Sequence, residues 1–342
     1  MTSPNLQRAV CALLLLVFAA VVLFSGCDPS RRVQFSGKTM GTIYRITLIA
    51  PFFADTGHIQ KKVEQRLKTL NHRLSTYIKD SEINRFNNIK HAGQPFRTSA
   101  DLAAMLRLGK RLHDLTDGAW DGTVWPLVKL WQFDQPGIQK QPPAAAAIDK
   151  TLDCVGFSHI VLSSDGTAAK KRPCVSLGFG SIAKGYGVDQ LTELLKKLGF
   201  DDFIVEIGGE VYAAGTKNNH KKWRVGVNMP KAGAPADRVR RTISLSDRAI
   251  ATSGDYRNFF TMDGKTYSHV LDPRTGYPVR TGVVSTWVTA DSCALADGLA
   301  TALMVMKVKK GLKRINSLEE TECLITVRTA DGKLKDYCSD NF

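Results

Sequence analysis

From Met40 to Ala50 the chain alternates, with Ile43, Arg45 and Thr47 set against Tyr44, Ile46 and Leu48, a pattern that predicts a strand with one buried face. The period then changes. Ile59, Val63, Leu67, Leu70 and Leu74 recur at helical spacing behind Asp55 or Thr56 as cap, and Leu102, Met105, Leu106, Gly109 and Leu112 do so behind Ser99. Two amphipathic helices packed on a sheet are expected. Further on, short strands dominate: His159 to Leu162, Cys174 to Phe179, Phe203 to Ile207, Trp223 to Val227 and Ile243 to Leu245. One helix from Ser181 to Leu198 falls among them, a last helix spans about Ser292 to Lys309, and a hairpin turning at Asp331-Gly332 closes the chain. Pro142-Pro143 and the run Ala144 to Ala147 read as a surface connection within one unit. Strands in runs with segregated helices predict an α+β fold.

Ahead of this pattern, Arg8 is followed by an uncharged apolar run from Ala9 to Phe24, too short to span a bilayer comfortably, and then by Ser25-Gly26-Cys27. Small residues before a cysteine at the end of such a run resemble the lipobox of bacterial lipoproteins, although Phe24 stands where that pattern more often has Leu. The resemblance implies a signal peptide over residues 1–26, acylation of Cys27, and a polar lipidated tether over residues 27–36 ahead of the folded domain at 37–342. Asp28 is similar to the signal that retains lipoproteins in the inner membrane, on its periplasmic side.

Charge narrows the partners. Formal net charge is +15, and only Arg8 of the 47 Lys and Arg precedes Cys27, so the mature protein is strongly basic and suited to anionic membranes and ligands. Nucleic acid is not an expected partner, because the lysines are scattered, without interleaved aromatics, and no recognised motif is present. Cys323 and Cys338 lie on the two arms of the closing hairpin, and Cys154 and Cys174 flank a turn at Asp165-Gly166, so either pair could be neighbours in an oxidising compartment; buried free thiols are the alternative. No cysteine spacing suggests a metal cage.

Three constellations could carry chemistry. Leu177-Gly178-Phe179-Gly180-Ser181-Ile182-Ala183-Lys184-Gly185 runs from a strand through glycines into a helix, which offers free N–H groups and the Lys184 charge to an anion; the spacing is neither that of a Walker loop nor that of a Rossmann turn. Asp297 and Thr301, four apart in the last helix among small residues, present a carboxylate and a hydroxyl on one face, a combination suited to a hard cation. His269 precedes a rigid Asp272-Pro273-Arg274-Thr275-Gly276 turn that could hold it as a proton acceptor. Taken singly, each has a structural explanation: a glycine turn, a back-bonded helical threonine, a capped loop.

Together they match one family. The chain resembles the FAD:protein FMN transferases, the ApbE-type lipoproteins, through Lys38-Thr39-Met40-Gly41-Thr42-Ile43-Tyr44, Leu74-Ser75-Thr76-Tyr77, Ser81-Glu82-Ile83-Asn84-Arg85-Phe86-Asn87, Ala119-Trp120-Asp121, Pro126-Leu127 with Leu130-Trp131, and Ile207-Gly208-Gly209-Glu210, in addition to the three constellations. The resemblance implies mixed and antiparallel sheets with packed helices, in two lobes around a flavin cleft. It implies FAD as substrate, contacted by Met40, Tyr77, Ala119, Trp120, Asp121, Gly178, Lys184 and Leu271. Mg²⁺ would be held by the Ser181 carbonyl and the Asp297 and Thr301 side chains, and His269 would take the proton of the incoming hydroxyl. The acceptors it implies are flavoproteins such as subunits of membrane redox pumps. Two residues depart from the pattern: Gly178 stands where the family usually has Asp, and Trp125 where it usually has Gly. Hydrolysis of FAD, or binding of flavin without catalysis, are the alternatives to transfer.

Overall fold

The computed structural model describes residues 30–135, 141–217, 220–228, 239–254, 259–262 and 265–342. Cys11 and the proposed anchor Cys27 lie outside the described residues. Ser30–Thr39 (β1) and Thr42–Pro51 (β2) form a hairpin whose turn, Met40-Gly41, has positive φ at both residues, the geometry that matches the right-handed strand twist. The stretch expected to be a free tether is therefore strand from Ser30 onward. Its polar, alternating exposure satisfied the composition of a tether equally well, and only pairing with β2 distinguishes the two.

Thr56–Leu74 (α1) buries the five apolar residues whose spacing predicted it, and the Asp55 carboxylate caps it by accepting the His58 N–H at 3.1 Å. Glu82–Asn87 (α2), the short strand Phe96–Arg97 (β3) and Ala100–Leu115 (α3) follow. Trp125–Leu130 (α4) and Ala145–Leu152 (α5) come next, and the alanine run expected to be a plain connection is thus a helix, seated by Ile148 on Leu127 and Trp131. Ile160–Leu162 (β4) and Thr167–Lys170 (β5) complete a small sheet in the order β3-β5-β4.

After Ala183–Lys197 (α6), the chain lays down Phe203–Ile207 (β6), Glu210–Ala214 (β7), Trp223–Asn228 (β8), Val239–Leu245 (β9) and Arg248–Gly254 (β10). Phe259–Met262 (β11), Lys265–Ser268 (β12), Val283–Ala290 (β13), Cys293–Val305 (α7), Val308–Asn316 (α8), Glu322–Arg328 (β14) and Leu334–Cys338 (β15) complete it. The expected last helix is two helices, broken between Val305 and Val308.

The main sheet is eight-stranded and antiparallel throughout, in the order β1-β2-β6-β7-β10-β13-β14-β15. On one face, α6 and α7 pack at backbone distance: a Cβ on Gly185 would stand 2.5 Å from the Cys293 carbonyl oxygen. On the other face the β8–β9 hairpin lays Trp223 and Leu245 over Ile250, Trp287 and Leu324. Strand β13 is buried along its whole length as a result.

Cys154 and Cys174 form a disulfide. Cys323 and Cys338 do not, because the register pairs Leu324 with Cys338; adjacent residues of a strand face opposite sides, so Cys323 is buried and Cys338 exposed.

Candidate active site

The segment expected as a strand at Cys174 to Phe179 is no strand: it leaves a turn at Cys174 and pairs with no strand, and side chains hold it instead. Asn87 accepts the Leu177 N–H at 2.7 Å and donates to the Leu177 carbonyl at 2.9 Å, imitating a ladder partner. Buried Lys170 donates to the carbonyls of Asn87, Pro173 and Val175 at 2.9–3.0 Å, and burial pushes its amine down to about 8. Gly178 N–H donates to the Gly122 carbonyl at 2.8 Å. This frame delivers Ser181 just ahead of α6 and Lys184 into its first turn, and the N-terminus of that helix has no side-chain cap.

Asp297, buried in α7, meets that turn: its Oδ2 accepts the Gly185 N–H at 3.1 Å. In an extended helix the Gly185 N–H would go to the Ser181 carbonyl; here it goes to Asp297, and no other described backbone N–H bonds that carbonyl. The Ser181 hydroxyl is itself oriented by the Trp120 indole N–H at 3.0 Å. One turn further along α7, Thr301 Oγ1 lies 3.2 Å from Ser253 Oγ of β10. The glycine-bordered segment and the Asp297–Thr301 face, 112 residues apart between Gly185 and Asp297, thus share one site.

Glu210, at the start of β7 behind the Gly208-Gly209 turn, completes it. Its Oε1 is in close contact with Lys184 Nζ, and its Oε2 is buried with no hydrogen-bond partner among the described residues. Burial, reinforced by the Asp297 charge, pushes the Glu210 carboxyl up to about 8, and burial raises Asp297 as well. Burial alone would depress the Lys184 ammonium, but Asp297 and Glu210 together hold it above its ordinary range. If both carboxylates were ionised beside one ammonium, a negative charge would stand uncompensated out of water, and it must be balanced either by a retained proton, as the raised carboxyls show, or by a bound cation.

That charge, the unclaimed Ser181 carbonyl and the Thr301 hydroxyl form a donor set of hard oxygens that fits a divalent cation such as Mg²⁺, with water and substrate phosphate completing its shell. Among the described residues no group of three His, Cys, Asp or Glu side chains is assembled, so a site for a softer metal is not present there.

Of the other expected contacts, Met40 adjoins this region and Trp120 reaches Ser181. Met40 packs against both major apolar clusters and lies beside Gly187, where a Cβ would come within 3.2 Å of its Cε. A cleft of about 490 Å³ runs along Lys38 to Ile43. Tyr77 is 77% exposed on a loop that Asn84 fixes through the carbonyls of Thr76 and Ile78.

Asp121 is committed to the fold. It accepts from the Thr123 N–H and hydroxyl and from the Phe157 N–H, and lies 3.0 Å from His113 Nδ1. Ala119 and Trp120 are buried beside it. Leu271 is buried with Leu127, Trp131 and Ile148, and half-buried His269 follows β12 directly. The turn beyond is built as expected: Asp272 holds the Arg274 backbone and guanidinium, and the Gly276 carbonyl accepts from the Trp131 indole at 2.9 Å.

The family model described as the ApbE family matches residues 40–325. The chain belongs to the ApbE family. It is 38% identical over 330 residues to the FAD:protein FMN transferase of Vibrio cholerae serotype O1, covering 96% of this chain and 97% of that one. With the protein of the same description from Escherichia coli K12 it shares 32% over 306 residues, 86% of each chain. Its fold superimposes on the flavin transferase ApbE from Vibrio cholerae with a TM-score of 0.82 at 37% identity, covering 92% of this chain and 99% of that one. On the apo flavinyl transferase ApbE of Pseudomonas stutzeri the TM-score is 0.81 at 32% identity, covering 91% and 95%.

Within this ApbE fold, three positions escaped the sequence reading as site residues. Glu210 was visible only as the end of the Ile207-Gly208-Gly209-Glu210 motif. Asp189 accepts from Ser292 Oγ and from the N–H groups of Cys293 and Ala294 at 2.7–3.0 Å, capping α7 from α6. Asn87 was visible only as the end of the Ser81 to Asn87 motif, and its role was not, because its partner Leu177 lies 90 residues away.

Proposed function

We propose that the protein transfers the FMN moiety of FAD to a Thr or Ser hydroxyl of a periplasmic or membrane-bound acceptor, with AMP as leaving group and Mg²⁺ as helper. The acceptor oxygen forms a bond to the FMN phosphorus, the bond from that phosphorus to the bridging oxygen breaks, AMP departs with the bridging oxygen, and His269 takes the hydroxyl proton. Lys184 and the uncapped N-terminus of α6 neutralise and orient the diphosphate. Ser181, Asp297 and Thr301 would hold the magnesium ion, which supplies charge stabilisation to the anionic phosphates when bound. The family membership and the character of the relatives support this reading, and the observation that carries it is the Lys184–Glu210 ion pair next to buried Asp297, which takes the Gly185 N–H and leaves the Ser181 carbonyl free.

We further place the protein on the periplasmic side of the inner membrane, tethered through acylated Cys27; subunits of membrane redox pumps are acceptors of the right location. Incubation with FAD, Mg²⁺ and a Thr-containing acceptor domain should give flavin fluorescence that stays on the acceptor in a denaturing gel. Release of FMN and AMP without labelled acceptor would make the protein an FAD hydrolase, and no nucleotide release would leave it a flavin binder. Full Mg²⁺-dependent transfer by the Asp297→Ala variant would remove the metal assignment.

A further inference from the structure

The end of the main sheet remote from the cleft exposes an aromatic pair. Ser30 pairs with Pro51 at the start of β1 and the end of β2, and the chain leaving Pro51 turns out Phe52, 55% exposed, and Phe53, 91% exposed, with their rings edge to face at 5.2 Å. Among the described residues, the other large apolar side chains open to water stand singly along the chain, as is ordinary for a protein surface; two adjacent phenylalanines on one loop are not. The loop is held in place, since the Arg31 guanidinium donates to the Ala54 carbonyl at 3.3 Å and Asp55 caps α1 directly after it.

Cations are frequent at this end of the sheet. Arg31 reaches the loop itself, Arg32 and Lys61 are exposed nearby in sequence on β1 and α1, and α6 closes with Lys196, which lies over the Tyr212 ring, and Lys197, 4.0 Å from Glu193, before the chain enters β6 beside Leu48. Two nearby acids are engaged in the fold, Asp55 as a helix cap and Asp202 as acceptor of the Thr216 N–H at 2.6 Å; Asp201 is exposed. Cys27 lies three residues before Ser30, a reach of at most about 10 Å. Because β1 begins at Ser30, no slack tether separates an acyl chain on Cys27 from this end of the sheet.

We propose that Phe52 and Phe53 seat in the interfacial layer of an anionic bilayer beside the acylated Cys27, with the flanking Arg and Lys side chains at the headgroups. One acyl anchor and one aromatic wedge then fix the orientation of the molecule. The β1–β2 hairpin becomes a rigid strut: Met40 and the cleft lie at its far end, ten strand residues from Ser30, or about 30 Å from the membrane surface. The proposal rests on the lipoprotein reading given above.

The test uses the full chain isolated from membranes and reconstituted into phosphatidylethanolamine–phosphatidylglycerol vesicles, with and without brominated acyl chains. In the Phe53→Trp variant the added indole emission should be quenched about twofold or more by brominated lipid, as expected for a ring at the headgroup–acyl boundary. Mass spectrometry of the N-terminal peptide reports acylation of Cys27 separately. Acylated protein that floats with the vesicles while the new indole stays unquenched overturns the wedge and leaves the anchor standing. Unacylated protein with a quenched indole overturns the anchor and supports the wedge acting alone; unacylated and unquenched protein overturns both. Phe52→Ser/Phe53→Ser in the acylated protein should keep FAD-dependent transfer to a soluble acceptor unchanged, which shows that the folded cleft is intact.

Discussion

At Glu210, a buried carboxyl has one oxygen on Lys184 and one without a partner among the described residues, so removing it takes away the ion-pair partner of the half-buried Lys184 ammonium and leaves only the Asp297 charge nearby. Glu210→Ala should lower kcat/KM for flavin transfer by roughly 10²-fold, with Glu210→Asp recovering part of it, because the lost term is orientation of a charge toward the diphosphate. Initial rates of acceptor labelling decide this, and an unimpaired Glu210→Ala enzyme would show that Lys184 needs no partner. The two departures from the family pattern prove to be one feature. A Cβ on Gly178 would stand 2.8 Å from Trp125 Cε3 and 3.2 Å from its Cβ, so the indole occupies the room that a side chain at 178 would need. Gly178→Asp alone should therefore raise the KM for FAD by about tenfold or lower the Tm, whereas Gly178→Asp with Trp125→Gly should recover most of the loss, a non-additivity expected of residues in contact. Additive single and double effects would mean that the two positions are independent.

Among the elements, α6 carries the anion-facing turn and is held from both sides. Asp189 caps α7 from it, and on its other flank Tyr186 and Gln190 join a buried knot in which Asp101 of α3 accepts from Arg66 at 2.6 and 2.8 Å, from Tyr186 at 2.8 Å, and from Arg73. Burial pushes the Asp101 carboxyl up, but the hydrogen bonds from Arg66, Tyr186 and Arg73 outweigh it and hold it at about 2, below its ordinary 3.8. A carboxylate depressed on folding contributes stability that is complete above its unfolded pKa and is lost as pH falls through the folded one. Between pH about 3.8 and about 2, the knot should give up roughly 2 kcal/mol. Urea denaturation should therefore find the gap between parent and Asp101→Asn closing over that window; a gap independent of pH would assign the knot no electrostatic part.

For the whole molecule, the Cys154–Cys174 bridge ties the end of α5 to the segment that leads into Gly178 and Ser181 across 20 residues of chain, and a closed loop of that size is worth about 3 kcal/mol. Reduction should lower the Tm by several degrees and raise the KM for FAD; an unchanged Tm after verified reduction would place the bridge outside the cooperative unit. In the sequence, α1 and α3 were legible because each has one face in the core and one in water, so burial is written at the helical period. Strands β7 and β13 were not, since they are covered on both faces and show no alternation, and β1 was hidden because an exposed edge strand and a polar tether share one composition. Asp297, Thr301, Ser181 and Lys184 could be named from spacing and resemblance, because helix geometry fixes which side chains share a face within one element. That Glu210 and Asp189 complete their surroundings, that the Gly185 N–H leaves the Ser181 carbonyl free, that Cys323 and Cys338 point apart, and that Trp125 fills the place beside Gly178 were decided only by the packed chain. Each depends on register and contact between segments tens to more than a hundred residues apart. Sequence by itself determines local period, capping and charge; tertiary structure alone determines which of those distant groups lose water together, and it is the shared loss of water that gives this site its chemistry.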